Sequence, residues 1–348
     1  KKRPNEIKLS DIERAVHAAG EAGFFPLDER WHIRGSQYSD SLSKQMVWLS
    51  GLVPYRQVVQ VFERIGQRVI CQSNLWRETQ AQGTRLQAEL NHQRTVVAPE
   101  RVVVGQERDD HDMPKGVSMD GGMVNIRGEG WKEFKAGVVY DVALRPGKDP
   151  QTREAVDLPC IEARRYTAVL GEVGQFAPAL WAIAVAHELP RAARSSVTAD
   201  GAEWIWNVTA DLFPDSTQIV DWYHATQHLV QAAHALFAED EIQANKWYRS
   251  MQTPLFRGDI WRITRPLLNA NLAAHARYFE HHQRRMRYQE SREQGWLIGS
   301  GPVESEIKQF KVRLTGPGMR WSRPHAERML VIRTAVLSDD FDTLWAVA

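Results

Sequence analysis

The hydrophobic pattern divides the chain into a helical first part, a strand-rich middle and a helical last part. Between about residues 7 and 28 the spacing predicts a short amphipathic helix and a loop closing on Phe24-Phe25-Pro26-Leu27-Asp28. Helical segments follow at Ser41–Ser50 and Tyr55–Ile65, then a Gly66 turn and a third segment near Gln72–Gln82. Gly83 is expected to interrupt that segment, and the mostly polar Thr84–Asn91 to form one more short helix. A linker over 94–115 carries the charge cluster Glu107–Asp112, which reads as a solvated loop.

From Val117 the period changes. Val117–Val124 reads as a short buried strand with Asp120 at its end beside Gly121 and Gly122. After a Gly128-Glu129-Gly130 turn, Trp131–Val142 alternates and then becomes apolar, as in a half-buried antiparallel strand. A polar loop with Pro146 and Pro150 leads to a third strand, Glu162–Leu170. Phe176–Glu188 predicts a helix packed on the sheet. Ser195–Ala199 is a fourth strand ending at Asp200, Glu203–Asn207 a short helix, and Ser216–Val220 a fifth strand ending at Asp221. Such an order predicts a mixed α/β sheet with helices on its faces. Trp222–Arg292 is almost all helix: Trp222–Phe237, then segments at Ile242–Met251, Ile260–Leu268 and Asn271–Gln289. The glycine turn Gly299-Ser300-Gly301-Pro302 opens a last helix, on which Glu304, Lys308 and Lys311 share one face.

Composition narrows the class. The chain has 348 residues, 43% hydrophobic and 25% charged, as in an ordinary globular protein. No apolar run approaches the roughly 20 residues of a membrane span, and no signal peptide opens it. Its first residue is Lys1, so the natural start is expected to lie upstream. Cys71 and Cys160 lack metal-ligand spacing and fit a reducing cytoplasm. The net charge of +1 conceals segregation: 246–293 holds 10 Lys/Arg against 4 Asp/Glu, and 308–333 holds 7 against 1. That is the footprint of a polyanion partner, with solvated helix faces as the plain alternative.

Three carboxylates near glycine at element boundaries, Asp120, Asp200 and Glu304, form the candidate chemistry. A single Asp-Gly is usually a turn. Three in order match what a two-metal phosphoryl-transfer site requires. The layout is also that of an RNase H-like core, in which neighbouring strands bring Asp120 and Asp200 together. In the N-terminal region the helix–Gly turn–helix spacing is open to two readings. One is three packed helices; the other is a helix-turn-helix with Arg77 and Gln80 facing a DNA groove.

The motifs then meet a family. Met119-Asp120-Gly121-Gly122 with Trp131-Lys132-Glu133-Phe134-Lys135, and Ala199-Asp200-Gly201-Ala202-Glu203-Trp204-Ile205-Trp206, come first. Val220-Asp221-Trp222-Tyr223-His224-Ala225-Thr226-Gln227-His228-Leu229 and Ile298-Gly299-Ser300-Gly301-Pro302-Val303-Glu304-Ser305 follow, then Thr315-Gly316-Pro317-Gly318-Met319-Arg320-Trp321-Ser322. From about residue 20 onward the chain resembles bacterial insertion-sequence transposases of the DDE type, most closely the ISKra group, which is related to Mutator-like transposases. Gly316-Pro317-Gly318-Met319 is longer than that pattern's Gly-Met.

The resemblance implies a catalytic, metal-binding triad of Asp120, Asp200 and Glu304. The triad would hold two Mg²⁺ ions, with Mn²⁺ able to substitute, and Asp120 would bridge both. Mg²⁺ suits such hard oxygen ligands. Asp221 and His224 are accessory: Asp221 follows a strand and competes for the second ligand position, and His224 either positions phosphate or caps a sheet–helix junction. His228, Trp204 and Trp206 are expected to pack. Lys308, Lys311 and Arg313 are expected to hold DNA backbone, and Arg320 with Trp321 a distorted base. Arg284, Arg285 and Arg287 are expected to touch phosphates. The implied partners are double-stranded DNA, as terminal inverted repeats and target, and a second copy in a homodimer, with no membrane.

The expected organisation is an N-terminal helical DNA-binding or dimerisation region over 1–93, a linker over 94–115 and a core over 116–221. An all-helical insertion over 222–295 follows, and 296–348 completes the core. Two alternatives stand: a catalytically inactive, domesticated relative that binds DNA, and a structure-specific nuclease on the same fold.

Overall fold

A computed structural model describes residues 38–97, 113–148, 155–238 and 240–348. The helix expected over 7–28 and the charge cluster at 107–112 lie outside the described residues. The chain folds as a mixed α/β protein around a five-stranded sheet of order β3-β2-β1-β4-β5. The strands are β1 (Lys115–Ile126), β2 (Gly130–Lys148), β3 (Ala155–Val169), β4 (Ser195–Ala199) and β5 (Thr217–Val220). β1 pairs antiparallel with β2, and β2 with β3; β4 runs parallel to β1, and β5 parallel to β4.

Among the described residues three helices precede the sheet: α1 (Asp40–Leu52), α2 (Tyr55–Arg64) and α3 (Gln72–Val96). α4 (Val173–Ala186) joins β3 to β4, and α5 (Glu203–Leu212) joins β4 to β5. The insertion comprises α6 (Trp222–Phe237), α7 (Glu241–Arg257), α8 (Ile260–Asn269), α9 (Ala273–His282) and α10 (Tyr288–Glu293). Last come α11 (Gly301–Leu314), α12 (Arg323–Leu337) and α13 (Phe341–Val347).

Alternation along β1 supplies two apolar faces. Val117 and Met119 point to the side covered by α4 and the insertion, where Phe176 and Leu180 pack. Val124 and Ile126 point to the other side, under Ile307, Phe310 and Leu314 of α11 and Met329 and Leu330 of α12. Each fully buried side chain of this size contributes about 1.5–3 kcal/mol. Phe134 and Phe310 meet edge to face at 5.5 Å, the geometry aromatic quadrupoles favour.

Several sequence expectations change here. β1 is longer than predicted, so Asp120 sits within the strand, paired opposite Ala136, instead of at its end. The β2–β3 hairpin extends through Pro146 and Pro159. Beyond Asp141 β2 no longer pairs with β1, and β3 is an edge strand, so a missing proline N–H costs no central ladder bond. The predicted helix over 271–289 is instead α9, a 3₁₀ turn at Gln283–Arg285 and α10.

Gly83 does not interrupt α3. A Cβ there would lie 3.0 Å from Cβ of Arg328, so this glycine lets α3 approach α12 closely. Gln80 is buried, donating to the Tyr55 hydroxyl at 3.4 Å and accepting from Arg328 at 3.3 Å, so it faces no groove. Val47 of α1 and Leu86 of α3 join Val331, Ile332, Phe341 and Trp345 in one apolar cluster that seats the N-terminal helices on α12 and α13. Arg77 remains exposed on α3, beside Asn74.

Candidate active site

Register alone aligns the first carboxylates. Val117 of β1 pairs with Val197 of β4, so three residues further along Asp120 stands level with Asp200. Ala199 of β4 pairs with Val220 of β5, and one residue further along Asp200 stands level with Asp221. Adjacent strands lie about 4.8 Å apart, so three acidic positions form a row across β1, β4 and β5. The last rung is the Asp221 N–H donating to the Ala199 carbonyl at 2.7 Å.

Each carboxylate is held by local backbone. Oδ1 of Asp120 accepts from the Gly121 N–H at 2.6 Å, and Oδ1 of Asp200 accepts from the Ala202 N–H at 2.9 Å. Asp221, fully buried, is engaged through both oxygens: Oδ1 accepts from the His224 N–H at 2.8 Å, capping α6, and Oδ2 accepts from the Ser300 N–H. The second contact ties the end of β5 to the turn that launches α11, and so fixes where Glu304, one turn later, enters the site. The Ser300 hydroxyl donates to Glu304 Oε1 at 3.4 Å, a weak contact.

Asp221, His224 and Glu304 each offer a ligand atom within 4.8 Å of the others, the one metal-compatible group of three such residues among the described residues. Asp120 and Asp200 stand outside that tight group but share its electrostatic field. Burial, first, pushes the Asp120 carboxyl up to about 6; the Asp200 and Glu304 charges add to this, while the Gly121 N–H and His224 oppose it. His224 is raised above its usual value, chiefly by its contact with Asp221, whose Oδ1 lies 3.3 Å from Nδ1. Burial also pushes Asp221 up, but the His224 and Ser300 donors outweigh it and hold that carboxyl below the usual range. The site is a concentration of negative charge held together by burial and N–H donors, with one imidazole as partial counter-charge. Such a site favours a cation.

Around this centre the other expected residues divide. Lys308, Lys311 and Arg320 are exposed. Arg313 is not: it is buried, Nε donates to the Ser50 carbonyl at 2.6 Å, and its guanidinium lies over the rings of Tyr55 and Trp321 at 5.0 and 5.2 Å. It holds α11 to α1 and is unavailable to DNA. Trp321 is likewise core. Its Nε1 donates to the Leu314 carbonyl at 2.9 Å and its backbone bridges Ile126, so it presents no free ring to a base. Arg284 is exposed, whereas Arg285 is half-buried over Trp206 at 4.4 Å and donates to Gln218. Arg287 is exposed and lies 3.4 Å from Glu290. His228 stacks on Tyr278 at 3.6 Å, Trp206 is buried and Trp204 meets Phe176 edge-on, all packing as expected. Gly318 adopts φ +73° in a turn closed by the Met319 N–H on the Gly316 carbonyl, which accounts for the longer glycine loop.

Sequence reasoning missed three neighbours. Tyr223 is 64% exposed and lies against Gly299 on the rim. Glu306 is fully buried on α11, and among the described residues neither carboxyl oxygen has a hydrogen-bond partner. Tyr278 covers Gly201 from the insertion. A cavity of about 1120 Å³ lies elsewhere, against Ser195 and Thr217 at the opposite ends of β4 and β5 from the carboxylates. Among the described residues no helix is long and apolar enough to cross a membrane. No protein-family model matches the chain, and no curated protein matches it.

Proposed function

We propose that the chain is a DDE-type transposase with an RNase H-like core, cutting and joining DNA at the ends of an insertion sequence. The observation that carries this reading is the aligned row Asp120, Asp200 and Asp221, with Glu304 delivered to it by the Ser300 turn. The donor set fits divalent cations: hard carboxylate oxygens dominate, and among the described residues Asp120 and Asp200 each use only one oxygen for a backbone N–H. Asp120, Asp200 and Glu304 would hold Mg²⁺, or Mn²⁺ in its place. Bound there, the metal stabilises charge on the attacking and leaving phosphodiester oxygens.

The protein's own part is positioning. Asp221 spends both oxygens on backbone donors, so it orients His224 and the start of α11. His224, whose pKa is raised chiefly by its contact with Asp221, would meet a DNA phosphate oxygen. Lys308 and Lys311, one and two turns beyond Glu304 on the exposed side of α11, continue this cationic track, and Arg320 and Arg284 add exposed charge. Two element ends must be processed together, which favours a homodimer on double-stranded DNA.

The test uses a duplex carrying the sequences that flank the chain's reading frame, with Mg²⁺. The unaltered protein should cleave and join it, while Asp200→Asn should bind the same DNA without cleaving. Cleavage without joining would favour a nuclease instead. Binding without cleavage by the unaltered protein would favour a DNA-binding protein.

A further inference from the structure

We propose that Tyr278, on α9 of the insertion, is a substrate-contacting residue whose hydroxyl donates to a non-bridging oxygen of the DNA phosphate held at the carboxylates. The inference rests on the reading above and deepens it. Three observations carry it. The Tyr278 ring is fixed in place: it stacks on His228 at 3.6 Å, meets Phe279 and His282 edge-on at 5.4 and 5.0 Å, and covers Gly201, where a Cβ would lie 2.8 Å from its Cε2. The glycine beside Asp200 is therefore needed for the ring to reach this position. The hydroxyl at the ring's end is shielded from water and has no hydrogen-bond partner among the described residues, although buried hydroxyls are normally satisfied. The ring lies against the glycine that directly follows Asp200, yet the hydroxyl bonds to none of the carboxylates.

The chemistry of the group selects its ligand. A phenol, with an ordinary pKa of about 10, keeps its proton near neutral pH and acts as a donor. Burial, with neighbouring cations, also lowers the imidazoles of His228 and His282, the latter to about 4, so the wall behind the ring is uncharged near neutral pH. A neutral wall ending in a single directed O–H suits one acceptor atom of a substrate rather than a whole polyanionic strand. The acceptor that a carboxylate–cation site brings to this point is a phosphate oxygen. The helical insertion would then supply a contact that the sheet does not.

The experiment compares Tyr278→Phe with the unaltered protein on the same flanking-sequence duplex with Mg²⁺. Single-diastereomer phosphorothioates stand at the scissile position. Phenylalanine keeps the stack on His228 and Gly201 and removes only the donor. The expected result is turnover reduced about 100-fold, as for loss of one donor to a reacting oxyanion, with unchanged KM, DNA affinity and melting temperature. One phosphorothioate diastereomer should slow the unaltered protein much more than it slows Tyr278→Phe. Unchanged turnover in the variant would overturn the inference. So would a loss that leaves the diastereomer preference intact or comes with a lower melting temperature, since either marks a packing role. If the unaltered protein itself binds but does not cleave, the transposase reading fails and this inference with it; the two failures differ in which protein is inactive.

Discussion

Helix α11 carries two acidic and three basic side chains along Glu304–Arg313, and its two faces use them in opposite ways. On one face Glu304 meets Asp221 and His224, and Lys308 and Lys311 stand in solvent. On the other, Glu306 is fully buried with no hydrogen-bond partner among the described residues, and Arg313 is buried between Ser50, Tyr55 and Trp321. Two residues separate Glu304 from Glu306, about 200° around the helix, and that rotation turns a candidate metal ligand into a buried acid. Charge on a helix therefore says little until its face is known. The exposed face offers chemistry, and the buried face fixes where that chemistry stands.

The largest expected effect falls on the first face. Glu304→Gln keeps the shape and removes the charge, so strand cleavage should fall by more than the roughly 10–100-fold lost with outer-shell partners. Duplex binding, measured by fluorescence anisotropy, should be retained. Arg313→Met tests the other face. It leaves the Ser50 carbonyl unpaired and should cost roughly 2–4 kcal/mol of stability in denaturant unfolding, with DNA affinity per folded molecule unchanged. A selective loss of DNA binding without destabilisation would return Arg313 to the DNA-contacting set.

A smaller effect, dependent on pH, separates the two acids. Burial holds the Glu306 carboxyl well above its usual range, and the Asp120 charge pushes the same way. The folded state then keeps a proton that the unfolded chain releases above about pH 4.3. Stability is therefore greatest below that pH and declines as pH rises toward the folded value. Glu306→Gln should match the unaltered protein near pH 4.5 and melt at a higher temperature at pH 8. Smallest is the expected effect of Lys308→Ala and Lys311→Ala. Each should weaken DNA binding modestly and lower the salt-dependence slope by about 0.9, the counterion share of one phosphate contact.

The same contrast explains what the sequence revealed. β4 and β5 are short and are followed directly by Asp200 and Asp221, so their ends were legible in the order of residues. Glu304 was visible because a Gly-Ser-Gly-Pro turn announces the helix that carries it. Asp120 was identified, but its place was not: Gly121 and Gly122 suggested a strand end, whereas β2 pairs straight past them as far as Ile126. Arg313 and Trp321 resembled a DNA-contacting pair because a charge and a ring close in sequence resemble a stacking site. The packing of α1 beneath α11, through Ser50 more than 250 positions away, buries Arg313, while Leu314 and Ile126 hold Trp321 in the core. Tyr278 gave no local signal. Its role depends on α9 folding back over Gly201, a contact set by tertiary structure alone.

Cation binding tests the central claim without any knowledge of the DNA ends. Titration of Mn²⁺ into the metal-free protein, followed by electron paramagnetic resonance, would compare the unaltered chain with Asp200→Asn, Glu304→Gln and Glu306→Gln. The account predicts saturable binding in the unaltered protein and in Glu306→Gln, and strongly weakened binding in Asp200→Asn and Glu304→Gln. Binding that survives the loss of Asp200 and Glu304, or is absent from the unaltered protein, would contradict it.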